Sequence, residues 1–499
     1  MIDVTSAAPN IGQNISGKPY EAILRKVGII AENEGIEAYA VGGIVRDILL
    51  DRPTTDIDFV TLGPGTGIKL AKAVAADIPN SSVSVFANFG TASVKLRDNP
   101  HESQAVSELE FVAARRESYR RDSRKPVVED GTLEDDQRRR DFTINAMAIG
   151  IIPDAFGDLI DPFGGISDLN SGLLRTPLEP GRTFDDDPLR ILRAARFSAQ
   201  LSFIIDEKTA SAMIECSPRI EIVSAERISM ELQKIVCSET PSVGFIALYD
   251  AGMLDIIFPE LVALQGVETK EGQKHKDNFF HTLEVVDNLV SMTRDRSAHD
   301  THWLRWAALL HDIGKPRSKQ FKKGSGWTFH GHEEIGARMI PQIFKKFRLP
   351  TDERMKFVQH LIRLHHRPVS LVDNTVTDSA VRRLVFDAGE AIEDLMTLVR
   401  ADITSKNPTR VRRYLDAFAS VEQKMADVEA RDNLRNFQPP VRGEEIMEKL
   451  NLAPGRVVGD LKEAVRNAIL DGLIPNEHDA AFAYLMEIKD KVLREAEGR

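Results

Sequence analysis

Two short stretches, Val41-Gly42-Gly43-Ile44-Val45-Arg46-Asp47 and Asp56-Ile57-Asp58, decide the fold class of the N-terminal part of this chain. Residues 37–41 read as an apolar strand, the paired glycines break it, residues 45–50 read as a helix, and residues 56–62 alternate polar and apolar side chains. Further strands are predicted at 82–86, 92–96 and 109–113. A turn-rich charged stretch, expected to be mobile, follows to about residue 140.

The glycine pair lies where a strand is expected to turn into a helix. Without a Cβ, Gly42 and Gly43 let phosphate oxygens approach the amide groups of a helix N-terminus. A tight connection between strand and helix explains the same pair without a ligand. From the residues alone, both interpretations stay open.

Two carboxylates, Asp56 and Asp58, are two residues apart in a predicted strand and therefore share one face. Their charges repel, which a solvated edge tolerates and which a divalent metal bridging them to a triphosphate turns into attraction. A third carboxylate is needed to place metal near an attacking hydroxyl. Glu110 on a later strand is the candidate, with Glu117 behind it.

A third stretch, Arg139-Arg140-Asp141-Phe142-Thr143-Ile144-Asn145-Ala146-Met147, completes the pattern. In order and spacing, the three stretches resemble the head of bacterial class II CCA tRNA nucleotidyltransferases and their poly(A) polymerase relatives. The resemblance implies nucleotide contacts and a Mg²⁺ site, with Gly42, Gly43, Arg46 and Arg140 on the nucleotide and Asp56 and Asp58 on the metal. The similarity runs from about residue 39 to residue 261 and includes Val223-Ser224-Ala225-Glu226-Arg227-Ile228.

The stretch from Asp186 to Phe197 is predicted to begin a helix at its acidic residues and Pro188. Its charged positions fall within about a third of the helix circumference, opposite an apolar face. A surface helix with ion pairs is one explanation. The resemblance implies another, in which Asp187 and Arg190 act as a protein template for CTP or ATP and Arg193 makes a further nucleotide contact.

A carboxylate and a guanidinium suit this selection because one accepts from an exocyclic amino group and the other donates to ring acceptors. Cytosine and adenine carry such an amino group and uracil does not, so exclusion of UTP is predicted. Poly(A) polymerases of the family carry a basic Gly-Arg-Arg-Phe element in the early sheet. Residues 89–94 read Phe-Gly-Thr-Ala-Ser-Val here, which favours CCA addition.

Most of the twelve histidines lie between residues 275 and 366. His281, His311-Asp312 and Asp402 have the order of the HD superfamily, whose members bind divalent metal and often hydrolyse phosphoesters. On one helix His360 and His365 are about 140° apart and cannot share a site directly. By resemblance, His332 and His365 complete the ligand set. Imidazole and carboxylate suit Mn²⁺, Ni²⁺, Fe²⁺ or Zn²⁺, so the ligands leave the metal open.

The chain has 499 residues, of which 42% are apolar and 28% charged, so several globular domains are expected. A net charge of -11 argues against non-specific nucleic-acid binding by the whole molecule, although basic residues cluster at 115–125 and 138–140. Two cysteines are too few for a disulfide framework. Without a leader or an apolar run of about 20 residues, a cytoplasmic protein with no membrane contact is predicted.

These observations predict an α+β chain in four parts. They are a nucleotidyltransferase-type mixed-sheet head (1–165), an all-helical neck that templates the nucleotide and binds tRNA (166–262), an HD metal-binding domain (263–410) and a helical C-terminal region without a motif (411–499). The predicted function is template-independent addition of CCA to the tRNA 3′ acceptor end from CTP and ATP, with Mg²⁺.

The alternatives are a CC-adding, A-adding or poly(A) polymerase relative and, from another class, a metal-dependent HD phosphohydrolase whose head only binds RNA. No protein partner is predicted.

Overall fold

The computed structural model describes residues 9–87, 90–96, 106–120, 123–270, 273–274, 277–324, 326–372, 377–405, 407–432 and 440–497. The chain divides into two compact units, residues 1–258 and 259–499. Within the described ranges, no helix is both long enough and apolar enough to span a membrane.

The strands of the first unit are β1 (Ala38–Val41), β2 (Asp56–Thr61), β3 (Ser81–Phe86), β4 (Thr91–Leu96), β5 (Glu108–Ala113), β6 (Arg115–Arg120), β7 (Ser123–Asp130), β8 (Ala148–Gly150), β9 (Leu159–Ile160), β10 (Leu173–Leu174) and β11 (Ile204–Ile205). Seven of them form one sheet in the order β3-β4-β5-β2-β1-β8-β9. Only β2 and β5 are parallel neighbours within it, so the sheet is mixed, as predicted.

The helices of this unit are α1 (Gly12–Ile15), α2 (Glu21–Asn33), α3 (Gly43–Leu49), α4 (Thr66–Asp77), α5 (Leu133–Arg138), α6 (Gly165–Ser171), α7 (Pro180–Asp186), α8 (Leu189–Leu201), α9 (Glu207–Cys216), α10 (Ala225–Val236), α11 (Pro241–Asp250) and α12 (Met253–Ile257). Helix α4 covers the sheet with Leu70, Ala71 and Val74, which recur at helical spacing and are buried. Gly67 allows this approach, because a Cβ there would lie 2.9 Å from the backbone of β5.

The charged stretch before residue 140 is not the irregular segment that its composition indicates. Strands β6 and β7 pair as an antiparallel hairpin from Arg115↔Asp130 to Arg120↔Ser123, and α5 follows. The register shifts between Ser118 and Arg120. Residues 115–126 are polar at nearly every position, so they lack the alternation by which a strand is recognised. The side chains of residues 117–128, including Glu117, lie outside the described part of the chain.

The neck also differs from its prediction. Asp186 ends α7, Asp187 is extended with φ −146° and ψ 101°, and α8 begins only at Leu189. The cause is Pro188, whose ring excludes the helical conformation at the preceding residue. Asp187 is therefore held at a break between two helices, whereas Arg190 and Arg193 are on α8. The parallel pair β10–β11 shows that the neck is not wholly helical, because two-residue strands leave no periodic signal.

The second unit contains α13 (Pro259–Val262), α14 (Asn278–Met292), α15 (Ala298–Leu310), α16 (Lys315–Ser318), α17 (His332–Lys346), α18 (Glu353–Leu364), α19 (Arg367–Ser370), α20 (Asp378–Ala388), α21 (Ile392–Ala401), α22 (Pro408–Asp432), α23 (Gly443–Leu450), α24 (Arg456–Leu470) and α25 (His478–Glu497). Two small hairpins, β12 (Thr269–Lys270) with β13 (Gln273–Lys274) and β14 (Gln320–Lys322) with β15 (Gly326–Thr328), interrupt the helices. The C-terminal helices have their own core around Leu461 and Leu485.

Candidate active site and candidate metal centre

The strand-to-helix turn at the head requires glycine at one of its two positions. Gly42 has a φ of +78°, and a Cβ there would lie 2.5 Å from Nη1 of Arg140. Gly43 opens α3, and its nearest neighbour would be the Arg46 guanidinium at an ordinary 3.7 Å. The first glycine therefore brings the backbone turn against a guanidinium that the sequence assigns to the nucleotide.

The three predicted head carboxylates, Asp56, Asp58 and Glu110, come together through strand register. On the parallel strands β2 and β5, Asp58 pairs with Glu110 and Asp56 pairs with Glu108. Burial raises the pKa of Asp58, against the opposing effects of Arg140 and Arg193. Burial and then the Asp58 charge raise the pKa of Glu110. The three carboxylates thus form one repelling group beside two arginines.

This group fits a divalent cation that is completed by substrate. The head carboxylates do not converge to within 4.8 Å of one another; in the part of the chain that the structure describes, such groups occur in the second unit. Mg²⁺ in proteins is commonly held by one or two carboxylates together with substrate phosphates, so a closed cage is not required. Burial, and to a smaller extent repulsion between carboxylates, raises the pKa of Asp58 and of Glu110, and a bound cation would favour the ionised forms.

The two predicted triphosphate arginines are both positioned by acidic or amide side chains. Arg46 donates to Oδ1 of Asn145 at 2.8 Å and, through Nε and Nη2, to the Asp47 carboxylate. Arg140 donates from Nε to Oδ2 of Asp136 at 3.0 Å. Asp136 is fully buried and also pairs with Arg139. Each guanidinium is therefore fixed in orientation.

The three predicted neck residues have different environments. Asp187 accepts a hydrogen bond from the Leu189 amide at 3.1 Å and lies 3.5 Å from Arg227 of α10. Arg190 donates to two backbone oxygens, those of Thr183 at 3.3 Å and Arg139 at 2.5 Å. The second of these contacts joins α8 directly to the segment that carries Arg140.

Arg193 forms an ion pair that sequence reasoning did not assign. Its Nε donates to Oδ2 of Asp141 at 2.6 Å, while Asn145 donates to Oδ1 at 3.1 Å. Burial alone would raise the pKa of Asp141, but the Arg193 guanidinium and the Asn145 hydrogen bond hold it well below its ordinary value. Asp141 and Asn145 are four residues apart in the stretch 139–147, and this spacing was the sequence signal that could have indicated their contact.

A second buried ion pair joins the two neck helices. Nη1 of Arg196 on α8 lies 3.0 Å from Oε2 of Glu231 on α10, and both side chains are nearly inaccessible. Glu231 lies just beyond the quoted stretch 223–228, so its partner could not be inferred from spacing alone. The pair fixes α8, and with it Arg190 and Arg193, against α10.

The six predicted ligands of the second unit converge on one place. This histidine–aspartate cluster consists of His281, His311, Asp312, His332, His365 and Asp402. Oδ2 of Asp312 lies 3.3 Å from Nε2 of His311 and 3.7 Å from Nε2 of His281. Oδ1 of the same carboxylate lies 3.5 Å from His332 and 3.9 Å from His365. Asp312 therefore lies between two ligand groups, one at each oxygen.

The histidine rings are oriented as metal ligands are. Nδ1 of His311, His332 and His365 each lies within 2.6–2.8 Å of the backbone oxygen three residues earlier. Nδ1 of His281 lies 2.8 Å from Oγ1 of Thr404. The three backbone oxygens can only accept, so Nδ1 of His311, His332 and His365 carries a proton and Nε2 faces the cluster. The Thr404 hydroxyl orients the His281 ring in the same way.

The surroundings of one buried atom, Nε2 of His311, indicate whether a divalent metal fits the cluster. Nε2 of His311 is buried, has no hydrogen-bond partner, and faces Asp312 and Asp402, the latter at 3.6 Å. Burial opposes protonation of His311, but Asp312 and Asp402 raise its pKa to about 10, so a proton on Nε2 between the two carboxylates is favoured unless a divalent cation takes its place. Such a cation would be held by the two carboxylates and the freed Nε2 lone pair. The residues present therefore fit the divalent metal that the HD pattern implies.

The charges of the cluster agree with this fit. Burial opposes ionisation, yet the neighbouring His311 keeps the pKa of Asp312 well below its ordinary value. Hydrogen bonding with His281 and His311 does the same for Asp402. Burial lowers the pKa of His365 to about 3, so this imidazole is neutral and able to coordinate.

Two neighbouring histidines, His360 and His366, belong to neither group of possible metal ligands. His360 lines a neighbouring cavity, and the His366 ring packs edge-on against His332. Beside the cluster, Gly314 caps the short helix α16, which has Pro316 in its first turn. Sequence reasoning missed Thr404 and Lys315, which contact His281 and Asp312.

Comparison with known proteins identifies three matching families. Residues 38–175 match the Poly A polymerase head domain, residues 202–264 the probable RNA and SrmB-binding site of polymerase A, and residues 278–404 the HD domain. The first range contains the head carboxylates and the third contains the histidine–aspartate cluster.

Relatives of known name match most of the chain. The A-adding tRNA nucleotidyltransferase of Deinococcus radiodurans is 31% identical over 451 residues, which cover 89% of this chain and 94% of the relative. The multifunctional CCA protein of Pseudomonas aeruginosa is 32% identical over 394 residues, covering 77% of this chain and 88% of the relative.

Solved structures share the fold. The Bacillus stearothermophilus CCA-adding enzyme in complex with CTP has a TM-score of 0.66 at 22% identity, covering 96% of this chain and 99% of that one. The Thermotoga maritima CCA-adding enzyme complexed with tRNA has a TM-score of 0.58 at 22% identity, covering 98% and 99%. At this identity the likeness concerns the fold alone.

Proposed function

Because the chain belongs to the tRNA nucleotidyltransferase family, we propose that it adds CCA to the 3′ end of tRNA from CTP and ATP, without a nucleic-acid template. One observation carries the proposal: the register that pairs Asp58 with Glu110 places the head carboxylates beside Arg140 and Arg193. Such a group, with anionic ligands on one side and guanidinium groups on the other, suits a metal-dependent transfer of a nucleotidyl group.

Asp56 and Asp58 would hold Mg²⁺ in this reaction, and Glu110 would hold it near the attacking 3′-hydroxyl. When bound, Mg²⁺ neutralises the charge that develops on the phosphates and favours the ionised form of the hydroxyl. Arg46 and Arg140 orient the triphosphate, since both guanidinium groups are already fixed by Asn145 and Asp136. Gly42 and Gly43 leave the backbone open to phosphate.

The neck residues would select the base. Arg190 uses two N–H groups on backbone oxygens, and among the described residues nothing else is seen to accept from its remaining donors. Asp187 keeps a carboxylate at the break between α7 and α8, where an exocyclic amino group can donate to it. Arg193, paired with Asp141, holds this face against the head. UTP lacks the amino group and is rejected.

The named relatives include both an A-adding enzyme and multifunctional CCA proteins. Three tRNA substrates separate these outcomes: one that ends before CCA, one after the first C and one after CC, each incubated with labelled CTP, labelled ATP or both. Full CCA addition to the first substrate supports the proposal. Addition of A only to the third substrate would assign the A-adding activity instead, and addition of C only would assign the CC-adding activity.

A second function is favoured by the buried Nε2 of His311, which lies 3.3 Å from Asp312 and 3.6 Å from Asp402. We propose that the histidine–aspartate cluster binds one or two divalent metals of the Mn²⁺, Ni²⁺, Fe²⁺ or Zn²⁺ type and hydrolyses phosphoesters. Asp312, with one group of ligands at each oxygen, would bridge the two positions.

Paired double variants separate the two proposed sites. Replacing Asp56 and Asp58 by Ala should abolish nucleotide addition and leave hydrolysis of bis(p-nitrophenyl) phosphate intact. Replacing His311 and Asp312 by Ala should do the reverse. Loss of both activities in either double variant, with folding intact by circular dichroism, would contradict the two-site account.

A further inference from the structure

A cavity of about 560 Å³ lies in the second unit beside the histidine–aspartate cluster, within the range typical of small-molecule sites. Its walls include Asp402 and Thr404 from the end of α21 and the segment that follows it. The opposite wall is formed by Arg410, Tyr414 and Phe418, which recur every four residues along α22. The cavity therefore joins a proposed metal ligand to side chains outside the HD pattern.

The exposed fractions of the cluster side chains show that solvent reaches the cluster at this cavity. Five of its members have side chains no more than 7% exposed, whereas the Asp402 side chain is 30% exposed. Asp402 is also the member that lines the cavity, with its Oδ1 2.9 Å from Nε2 of His281. A molecule that reaches the cluster from solvent thus meets Asp402 first.

The α22 wall offers one cationic and one aromatic group. The Arg410 guanidinium is exposed, lies 5.7 Å from the centre of the Tyr414 ring, and has no carboxylate partner among the described residues. A hydrogen bond with this guanidinium lowers the pKa of Tyr414. The Asn407 side chain accepts from the amides of Thr409 and Arg410 and so fixes where α22 begins. Both side chains line the cavity.

A second cavity, of about 590 Å³, lies near His332 and His365 but offers different chemistry. Its two arginines are already paired, Arg363 with Glu334 at 2.8 Å and Arg367 with Asp387 at 2.5 Å. None of the six cluster members lines it. The cavity at Asp402 also has a carboxylate, Glu284, in its lining, but its Arg410 has no carboxylate partner among the described residues. An anionic substrate is therefore better matched by this cavity.

We propose that the cavity at Asp402 is the substrate pocket of the histidine–aspartate cluster and takes a phosphate ester joined to a planar ring. Arg410 binds the phosphate oxygens, because a guanidinium matches their geometry with two donors. Tyr414 stacks on the ring, and Val399, Ile403 and Phe418 form the apolar floor. This inference rests on the proposed metal centre.

The test uses the full-length chain with Asp56→Asn and Asp58→Asn, so that the head does not hold metal. Mn²⁺ binding is measured first, by electron paramagnetic resonance. Phenyl phosphate is then titrated in, and its ³¹P relaxation is recorded, because bound Mn²⁺ accelerates the relaxation of a nearby phosphorus nucleus. Inorganic phosphate serves as the ligand without a ring. Phenyl phosphate has no nucleobase, so the neck residues that are proposed to select the base cannot recognise it.

Four substitutions are compared in this background, with Arg413→Ala as the matched control. Arg413 lies 5.6 Å from the same Tyr414 ring but does not line the cavity. Tyr414→Ala should lower the affinity for phenyl phosphate by about tenfold and leave the affinity for inorganic phosphate unchanged. Tyr414→Phe should retain both affinities. Arg410→Ala should lower the affinity for both ligands by about tenfold or more. Arg413→Ala should change neither.

Each contrary result has a separate meaning. Absence of Mn²⁺ binding would overturn the metal centre and this inference together. Mn²⁺ binding with phenyl phosphate affinity unaffected by Arg410→Ala and Tyr414→Ala would overturn the pocket alone. Loss of affinity on replacing His360, which lines the other cavity, would place the substrate on that side instead.

Discussion

Asp58 and Glu110 occupy paired positions on the parallel strands β2 and β5, although 52 residues separate them in sequence. Paired positions of neighbouring strands present their side chains to the same face of a sheet. The charge of Asp58 accordingly raises the pKa of Glu110, second only to burial. The pairing supports Glu110 as the third head carboxylate.

Glu110→Gln should therefore lower kcat for nucleotide addition by about 10²-fold, because loss of one preorganised charge at a reacting centre commonly has that effect. Glu108→Gln is the matched control, since Glu108 is two residues away on the same strand and accepts from Ser93. Its rate should stay near that of the unmodified enzyme. Equal losses in both variants would remove Glu110 from the metal site.

Gly42→Ala should abolish addition, since the new Cβ would strike the Arg140 guanidinium. Gly35→Ala controls for backbone strain, because Gly35 has a φ of +66° and open space around the missing side chain. Both substitutions should cost about 1–3 kcal/mol of stability, but only Gly42→Ala should lose activity. Thermal unfolding and the addition rate are measured together. A fully active Gly42→Ala enzyme would contradict the role given to Arg140.

Asp141→Ala should destabilise the first unit by about 2 kcal/mol or more, because it leaves Arg193 without its buried partner. The free energy of unfolding is measured by urea denaturation, followed by far-ultraviolet circular dichroism. Lys69→Ala, which breaks the exposed pair with Glu34 in the same unit, should leave the same quantity unchanged. Similar effects of the two substitutions would show that the Asp141 pair is not structural.

The ion pair between Asp141 and Arg193 should also make the free energy of unfolding depend on pH in a predictable direction. The folded-state pKa of Asp141 is lowered, so its ionised form is favoured by folding. Its contribution is fully present above the unfolded pKa of about 3.9 and is lost as pH falls below that value. The stability difference between the unmodified chain and Asp141→Asn should stay constant from pH 7 to about pH 5 and shrink below about pH 4. A difference that grows on acidification would refute the assignment.

Thr404→Ala should weaken metal binding by about 10–100-fold, because Thr404 orients His281 through Nδ1. Thr404→Ser keeps the hydroxyl and should retain the affinity. The dissociation constant for Mn²⁺ is measured by electron paramagnetic resonance in both variants. If serine fails to restore what alanine loses, the methyl group and its packing, not the hydrogen bond, are responsible.

The sequence predicted most of the sheet and both groups of charged residues. The strands at 82–86, 92–96 and 109–113 follow from alternation of apolar and polar side chains, whereas the HD ligands were implied by the resemblance to the HD superfamily. The β6–β7 hairpin was missed because residues 115–126 are polar at nearly every position and show no such alternation. The helix carrying Arg190 begins later than predicted because Pro188 acts on the residue before it.

The supporting residues could not be predicted because their partners are distant or of an ordinary type. Thr404 contacts His281 across 123 positions, and no local pattern marks a threonine as the partner of a histidine. Asp136 looks like one acidic residue among several, and only its burial between Arg139 and Arg140 distinguishes it. Long-range contact and burial are the properties that single-sequence reasoning does not reach.

The most direct test of the central claim is the sequence of tRNA 3′ ends after incubation with all four nucleoside triphosphates. The substrate is a tRNA that ends before CCA, and the Asp56→Asn, Asp58→Asn chain is the control. The account predicts molecules that end in CCA, with no U or G added, no fourth nucleotide, and no addition by the control. An A tail of indefinite length, frequent U incorporation, or addition by the control would contradict it.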